Sequence, residues 1–391
     1  MRNNWKYLPL NKAVDICDNL RKPINSKERN ERISGKAISE LYPYYGATGQ
    51  VGYIDDYITD GEYVLLGEDG APFLSAFATK AYIISGKTWV NNHAHVLRSK
   101  TNNKFLCYYL NSFNYKGYVS GTTRLKLTQA SMKQIPVPVP PLPEQERIVA
   151  RIEELFSELD KAVETLKKTK AQLAVYRQAV LKEAFEGDYP KLALKDISTV
   201  MSGYAFKSKK YTADGQYVVV KIGNVKQFTF DFSRDFTRTN EVQGDILKKY
   251  LLKRGDCLIT LTGSRGKRDY GFVSMITDQK NFLLNQRVAA LRFNFSKALP
   301  EFYQYYLSSF DYRNQFFSYE TGNVGQGNVG VKALIDPIVV CPTIEQQKMI
   351  VFELESRLSV CDSIEKTVDT ALQEAEAMRQ SILKKAFEGR I

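Results

Sequence analysis

Cysteine is scarce in this sequence, and long apolar runs are missing. The five cysteines are scattered and odd in number, which argues against a disulfide framework and against a zinc site and favours a reducing compartment. No run approaches the roughly 18 apolar residues that a membrane helix needs, and the first residues have no signal-peptide core. We therefore expect a cytoplasmic protein with neither a membrane span nor a secretory signal.

Histidine is also scarce, since His93 and His95 are the whole complement. A pair at i, i+2 could ligate a metal only from a strand and with further ligands. No cysteine or acidic cluster adjoins this pair in the sequence, so we expect no metal site.

The motifs of several enzyme classes are absent as well. An adenine methyltransferase needs an Asn/Asp-Pro-Pro-aromatic segment, and the nearest string, at 336–339, lacks the second proline and the aromatic residue. The glycines at 263 and 266 are too close for a phosphate-binding loop, and the hydroxyl is missing. Asp278-Gln279-Lys280 has the D-x-K order of many nucleases, but no preceding carboxylate stands at suitable spacing. We therefore expect no catalytic residue in this chain.

The composition that remains is globular and basic. A chain of 391 residues is too long for one ordinary core, so two or more domains are expected. Hydrophobic residues make up 43% and charged residues 25%, as in globular proteins. The formal net charge of +12 favours an acidic partner, with nucleic acid first.

A seven-residue string occurs twice in the chain. LKEAFEG at 181–187 returns as LKKAFEG at 383–389, with six identical positions and an offset of 202. Upstream, PEQERIV at 143–149 falls on IEQQKMI at 344–350 at an offset near 201, and both lead into a long stretch without Gly or Pro. The repeat predicts alternating globular and helical units, at 1–141, 142–188, 189–341 and 342–391.

The two helical units carry heptad patterns of apolar residues, with which long helices pack along their whole length. The patterns include Tyr176, Ile364 and Met378. Because the chain must run out along one helix and back along the other, we predict an antiparallel pair in which Ala371 faces Tyr176. The predicted seam consists of Ile152, Leu159, Leu166, Leu173, Val180, Leu354, Cys361, Val368, Ala375 and Ile382.

The two globular units have a different pattern. Short apolar runs such as YVVVKIGN and DCLITLTG are separated by turn residues, which predicts β-strands with some helix. One aromatic helix is predicted in each unit, at 103–115 and 300–312, with its aromatic face in the core. The fold class is therefore α+β, with two mixed, mostly β domains, two long coiled-coil helices and a pseudo-twofold repeat.

Charge also separates the units. Residues 1–141 carry a net charge of +7 and residues 189–341 a net charge of +9, whereas each helical unit carries −2. Because phosphate contacts supply the sequence-independent part of DNA affinity, both globular units qualify as DNA-binding modules.

The repeated segments of the chain resemble those of a known family. GTTRLKLTQASMKQIPVPVPPLPEQERIV with LKEAFEG, and IDPIVVCPTIEQQ with LKKAFEG, resemble the repeated segments of the specificity subunit of type I restriction-modification enzymes. The second copy is the weaker one, because Thr343-Ile344 replaces Leu-Pro before Glu345. The resemblance covers essentially the whole chain.

This resemblance implies a DNA-binding, non-catalytic subunit. It implies that two target-recognition domains each recognise one half of an asymmetric, split DNA site, and that the helices form the spacer between them. It further implies that the helices dock two methyltransferase subunits, to which translocase-nuclease subunits are added. AdoMet, ATP and magnesium would belong to those partners, and no cofactor to this chain.

Candidate DNA contacts are polar or basic residues in glycine-rich loops, because base readout needs hydrogen-bonding forks and neighbouring phosphate contacts. In the first unit they are Arg21, Lys22, Lys27, Arg29, Tyr45, Thr48, Gln50, His93, Thr122, Thr123, Arg124 and Lys126. In the second unit they are Tyr204, Phe206, Lys207, Lys221, Asn224, Arg265, Lys267, Arg268, Asn285, Gln286, Arg287, Gln326 and Asn328.

Other interpretations stay open on the sequence alone. A fused or degenerate methyltransferase or nuclease would show activity by itself. A protein-binding scaffold would show no salt-dependent DNA binding. A specificity subunit of a related two-subunit system, or an orphan subunit used for switching specificity, has the same sequence features as the main interpretation.

Overall fold

A computed structural model describes residues 5–231, 237–240, 242, 244–278, 280–323 and 325–391. Gln279 of the D-x-K string lies outside these residues. The chain folds into two compact units, one of residues 1–168 with 367–391 and the other of residues 169–366. Each unit contains a globular domain and part of both long helices, so the four-part division of the chain remains a prediction.

The secondary structure combines short strands with two long helices. The helices are α1 (Leu10–Ala13), α2 (Ser26–Ile33), α3 (Asn103–Ser112), α4 (Gln129–Lys133), α5 (Leu142–Ala184), α6 (Gly244–Tyr250), α7 (Pro300–Tyr306), α8 (Phe310–Ser318), α9 (Lys332–Ile335) and α10 (Ile344–Phe387). The strands of the first unit are β1 (Tyr7–Pro9), β2 (Val14–Ile16), β3 (Tyr42–Tyr45), β4 (Gln50–Ile54), β5 (Thr59–Asp60), β6 (Tyr63–Gly67), β7 (Ala81–Ile84), β8 (Lys87–Val90), β9 (Ala94–Ser99) and β10 (Pro136–Pro138). The strands of the second unit are β11 (Lys191–Ala193), β12 (Ser198–Ser202), β13 (Tyr217–Val220), β14 (Val225–Lys226), β15 (Thr229–Phe230), β16 (Thr237–Thr239), β17 (Cys257–Thr260), β18 (Thr262–Gly263), β19 (Val273–Met275), β20 (Phe282–Leu284), β21 (Val288–Phe293), β22 (Glu320–Thr321), β23 (Gly327–Val329) and β24 (Ile338–Val340).

Two four-stranded sheets organise the first domain. One has the order β2-β9-β6-β7 and is antiparallel throughout, and the other has the order β4-β3-β8-β5 with β3 and β8 parallel. β6 is buried along its whole length because it packs on both sides. Val64 and Leu66 lie in one apolar cluster with Leu110 of α3, whereas Leu65 lies in another with Val90 of β8. Alternate side chains of one strand therefore join the two layers.

The second domain repeats this topology. Its antiparallel sheet has the order β12-β21-β17-β19, and β13 and β20 are parallel neighbours as β3 and β8 are. The two-stranded pair β11-β24 corresponds to β1-β10. The predicted α+β class and the internal repeat are confirmed.

A buried glutamine fixes the start of each long helix. The side chain of Gln145 donates to the carbonyl of Pro140, and that of Gln347 donates to the carbonyl of Pro342, both at 2.8 Å. Gln347 also accepts from the backbone N–H of Leu299 (2.8 Å). These equivalent residues are 202 apart, as the AFEG strings are, so the offset near 201 predicted for the helix starts is corrected to 202.

The long helices pack antiparallel, as predicted. In the second unit Arg177 of α5 pairs with Asp362 (2.6 Å) and Glu365 (3.0 Å), whereas Glu183, further along α5, pairs with the earlier Arg357 (2.9 Å). In the described part of α5 and α10, later positions on one helix thus meet earlier positions on the other.

The predicted register of this pair is wrong. The guanidinium of Arg357 lies 5.7 Å from the ring centre of Tyr176. Asp362, which pairs with the neighbouring Arg177, stands where Ala371 was expected, a difference of about two and a half helical turns. Tyr176, Ile364 and Met378 are about half exposed and are not among the buried seam residues. A heptad pattern fits equally well at several registers, and here the ion pairs distinguish them.

The ten predicted seam residues lie along the inner sides of α5 and α10. They form five pairs at the offset of 202, from Ile152 and Leu354 to Val180 and Ile382. Leu159 and Leu166 are half-buried and the other eight are buried. The same offset therefore governs both the seam and the helix ends.

The repeated AFEG strings anchor the ends of the long helices to the aromatic helices. Phe185 packs edge-on against Tyr306 of α7, with ring centres 5.1 Å apart. Phe387 packs in the same way against Tyr109 of α3, at 5.3 Å. The aromatic faces of α3 and α7 are buried, which confirms their predicted place in the core. The single helix predicted at 300–312 is corrected to two, because α7 ends at Tyr306 and α8 begins at Phe310.

Candidate nucleic-acid interface

Three strand ends meet at one edge of the first domain. Since β3 and β8 are parallel, their carboxyl ends are adjacent, and the N–H of Asn91 donates to the carbonyl of Tyr45 (3.1 Å). After β6, the N–H of Glu68 donates to the carbonyl of His93 (2.8 Å), and the N–H of Leu127 donates to the carbonyl of Glu68 (2.7 Å). These backbone bonds hold four loops together at this edge.

The four loops enclose a cleft of about 640 Å³. It brings together four of the predicted DNA contacts, namely Thr48, His93, Thr123 and Arg124. The cleft also contains Asp69, which sequence reasoning missed because an acidic residue was not sought among basic candidates.

Asp69 holds two of the predicted contacts in place. Its Oδ1 accepts a hydrogen bond from Nη2 of Arg124 (3.0 Å) and lies 2.5 Å from Nδ1 of His93. The side chain of Arg124 nevertheless remains 61% exposed. The cleft therefore presents an oriented guanidinium to solvent.

Arg21, another predicted DNA contact, is held by ion pairs within its own domain. Its guanidinium pairs with Glu68 and with Asp18 (3.2 Å) and donates to the carbonyl of Ala94 (3.3 Å). Glu68 is also paired with Lys126 (3.3 Å). Two carboxylates of its own domain thus engage Arg21, and little of its side chain is exposed.

A buried network of hydrogen bonds lies next to this ion pair. His95 is fully buried, with Nδ1 2.8 Å from Asp18 and Nε2 3.1 Å from the carbonyl of Leu127. Burial acts to raise the pKa of Asp18, but hydrogen bonds from His95, Val96 and Gln129 outweigh it and lower this pKa to about 2.

The other predicted contacts of the first domain do not line the cleft. Arg29 of α2 lies over the ring of Tyr44 (4.9 Å), and Lys22 lies over the ring of Trp89 (5.7 Å). These cation–π contacts orient the two side chains while leaving them accessible. The exposed or half-buried residues outside the cleft are Lys22, Lys27, Arg29, Tyr45, Gln50, Thr122 and Lys126.

The second domain has the same arrangement of backbone hydrogen bonds. The N–H of Asn285 donates to the carbonyl of Val220 (3.3 Å), and the N–H of Leu261 donates to the carbonyl of Arg287 (3.0 Å). The N–H of Val329 donates to the carbonyl of Leu261 (2.9 Å). The bonds correspond one to one with those in the first domain.

This correspondence aligns the candidate contacts of the two domains. The carbonyl of His93 accepts from the residue that follows β6, and the carbonyl of Arg287 accepts from the residue that follows β17. Arg287 therefore occupies the place of His93. Gln326 occupies the place of Arg124, since the offset of 202 also relates Leu127 to Val329. The framework is thus shared, whereas the side chains it presents differ.

Most predicted contacts of the second domain are accessible. Arg265 donates to the carbonyl of Gly322 (2.7 Å), and Arg268 lies over the ring of Phe317 (4.8 Å). The exposed residues are Lys207, Arg265, Lys267, Arg268, Gln286, Arg287, Gln326 and Asn328, and the half-buried ones are Tyr204, Phe206, Lys221 and Asn285.

Asn224, another predicted DNA contact, is buried. It is 5% exposed, and its side-chain oxygen accepts from the N–H of Lys221 (3.0 Å). This bond closes a single helical turn at 222–224. The side-chain oxygen therefore satisfies the local backbone, and the DNA contact predicted for this residue stays a prediction.

A second cleft, of about 440 Å³, lies in the second domain. Tyr204, Phe206 and Lys207 line it, together with Lys210 and Tyr211. The segment SGYAFKSKKY at 202–211 is a candidate for DNA contact by its basic and aromatic composition, although Lys210 and Tyr211 were not singled out in it.

The described residues also bear on metal binding and on membrane spans. In the part of the chain that the structure describes, no group of three or more His, Cys, Asp or Glu residues is arranged to hold a metal ion. None of the described helices combines the length and the apolarity of a membrane span.

Comparison with known proteins identifies relatives of this chain. The family model described as type I restriction modification DNA specificity domain matches residues 4–173 and 186–374. A putative type I restriction enzyme specificity subunit of Haemophilus influenzae is 31% identical over 67% of this chain. The EcoKI specificity subunit of Escherichia coli is 26% identical over 73% of this chain. The matches span 66% and 65% of these two relatives, slightly less than two thirds of their length.

Solved structures share the fold. A chain from work on complex assembly and conformational transition of the type I R-M system has a TM-score of 0.73 and 17% identity. The match covers all of this chain and all of that chain. The HsdS subunit from Thermoanaerobacter tengcongensis has a TM-score of 0.56 and 16% identity, with 99% of this chain and 97% of that chain covered.

Proposed function

Because this chain belongs to the family of type I restriction enzyme specificity subunits, we propose that each globular domain recognises one half of an asymmetric, two-part DNA target. The observation that carries the proposal is the shared framework with different side chains. His93 and Arg124 in one domain correspond to Arg287 and Gln326 in the other. Different side chains at equivalent positions would recognise different bases.

The charge of the two domains supports the same proposal. The basic excess of the sequence lies in the globular parts, with +7 in residues 1–141 and +9 in residues 189–341. Exposed cations such as Lys27 and Lys267 are suited to phosphate contacts, which position a protein on DNA without specifying sequence.

We assign the remaining roles to partner proteins. The long helices would dock two methyltransferase subunits, and translocase-nuclease subunits would join the full complex. AdoMet, ATP and magnesium would bind to those partners, and this chain would act in the cytoplasm without catalytic residues of its own.

The test is co-expression of the chain with its cognate methyltransferase subunit, followed by genome-wide mapping of methylated adenines. We expect one motif with two different half-sites and an unspecified gap. Replacing residues 189–341 with the corresponding domain of a relative should change one half-site and leave the other intact.

Two controls complete this experiment. The chain expressed without the methyltransferase subunit should produce no methylation, and activity of the chain alone would favour an enzyme instead. Absence of a two-part motif, or a motif that the domain replacement leaves unchanged, would overturn the proposal.

A further inference from the structure

We propose that Arg124, positioned by Asp69, recognises a guanine in the half-site of the first domain. The inference rests on the proposed function, because it names a base that the cleft of this domain would recognise. It is carried by the geometry of three side chains in that cleft, Asp69, His93 and Arg124.

The guanidinium of Arg124 is oriented without being buried. Asp69 engages it through Nη2 at 3.0 Å, while the side chain stays 61% exposed. Nδ1 of His93 contacts the same Oδ1 of Asp69 (2.5 Å) and lies 3.4 Å from Nη2 of Arg124. An arginine held in this way has lost rotamer freedom before it meets a ligand, so less entropy is lost on binding.

The carboxylate next to the arginine favours a base over a phosphate. Asp69 would repel a phosphate that approached Arg124 from its side, whereas base edges are neutral. The guanidinium fork matches the O6 and N7 acceptors of guanine, and a carboxylate can accept from the N4 amino group of cytosine. The Arg124–Asp69 pair is therefore complementary to a whole G·C pair in the major groove.

The backbone around the pair leaves room for the fork. Gly70 has φ +72°, in the left-handed region that favours glycine. A Cβ added at Gly70 would lie 3.2 Å from Nε of Arg124. A side chain at this position would therefore require Nε of Arg124 to shift by a few tenths of an ångström.

The second domain lacks this arrangement at the equivalent place. Asp69 forms a bridge with Lys126, and the corresponding bridge in the second domain joins Thr262 to Asn328. Thr262 thus replaces Asp69, and Gln326 replaces Arg124. A glutamine fork matches adenine, so the two half-sites are expected to differ at this position.

The experiment uses the full chain with its methyltransferase subunit and a set of duplexes that vary one base pair at a time in the first half-site. Arg124→Ala should reduce the preference for one guanine by roughly 5- to 150-fold, the range of a good bidentate contact. Arg124→Gln should shift the preference at that position towards adenine, and Arg124→Lys should keep the charge but lose most of the preference.

Asp69 is tested as a positioning residue. Asp69→Asn should lower the preference for the same guanine, and it should add nothing when combined with Arg124→Ala. A merely structural role would instead weaken binding to every duplex equally. The matched control, Gln326→Ala, should change the second half-site and leave the first one intact.

The outcomes separate this inference from the proposed function. A two-part motif without a G·C pair in the first half-site, or equal loss of binding to all bases in Arg124→Ala, would overturn the guanine assignment alone. Absence of any two-part motif would overturn the proposed function as well.

Discussion

At the scale of single residues, the loops after β8 and β20 combine a shared asparagine with a residue that differs between the domains. The side chain of Asn91 accepts from the N–H of His93 (2.8 Å), and that of Asn285 accepts from the N–H of Arg287 (3.4 Å). Asparagine favours such turns because its side chain bonds to the backbone two residues on. The asparagine therefore shapes the loop, and the residue two positions later can differ between the domains.

Asp18 gives a pH-dependent contribution to stability. Its folded pKa of about 2 lies below the ordinary value near 3.9, so the contribution is complete above about pH 4 and is lost as pH falls towards 2. We expect Asp18→Asn to lower the unfolding temperature at pH 7 and to flatten its decline between pH 4 and 2.

Thermal unfolding of both proteins across this pH range measures the effect. Asp15→Asn is the control, because Asp15 is exposed in the neighbouring strand and should leave the profile unchanged. Parallel profiles for the wild type and Asp18→Asn would contradict the assignment.

At the scale of elements, periodicity and repetition in the sequence predict which segments are helices or strands. They do not predict which residues of two helices pair with each other. The sequence patterns predicted a few central strands such as β13 and β17, both long helices and the inward position of Leu354 or Val180. The register of the helix pair was not predictable, because apolar seams match at several registers and the long-range pairs Arg177–Asp362 and Glu183–Arg357 select one. Asp69 was missed for a related reason, since its partner Arg124 is distant in sequence.

The AFEG phenylalanines should stabilise the units in which they are buried. Phe185 is 7% exposed and contacts Phe302 and Tyr306. Removal of a buried phenylalanine ring typically costs about 3–5 kcal/mol. We expect Phe185→Ala to lower the stability of the second unit by that amount, measured by hydrogen exchange of amides in β17 and β21.

Phe352 offers a matched control on the other long helix. It is 77% exposed, so Phe352→Ala should leave exchange in the same strands unchanged. Equal effects of the two substitutions would show that the AFEG phenylalanine is not an anchor.

At the scale of the whole molecule, the two halves of the chain share a framework of strands, helices and backbone hydrogen bonds. They differ in the side chains of the loops that this framework holds. The offset of 202 holds from Leu127 and Val329, through the seam, to Phe185 and Phe387. The positions proposed to contact bases, such as Arg124 and Gln326, lie beside this repeated segment and differ. A two-part, asymmetric target is the expected product of such a repeat.

The long helices should set the gap between the two half-sites, because both α5 and α10 pass from one compact unit to the other. Inserting one heptad into each, after Lys168 and after Lys366, preserves the seam and adds about 10.5 Å at 1.5 Å per residue. We expect the unspecified gap of the methylated motif to lengthen by about three base pairs of roughly 3.4 Å each.

Both half-sites should stay the same in this variant, because the insertions leave the recognition loops intact. A heptad inserted into α5 alone is the control, since it shifts the seam pairs and should abolish methylation of the lengthened motif. If the double insertion changed a half-site and left the gap unaltered, the helices would not be the element that determines spacing.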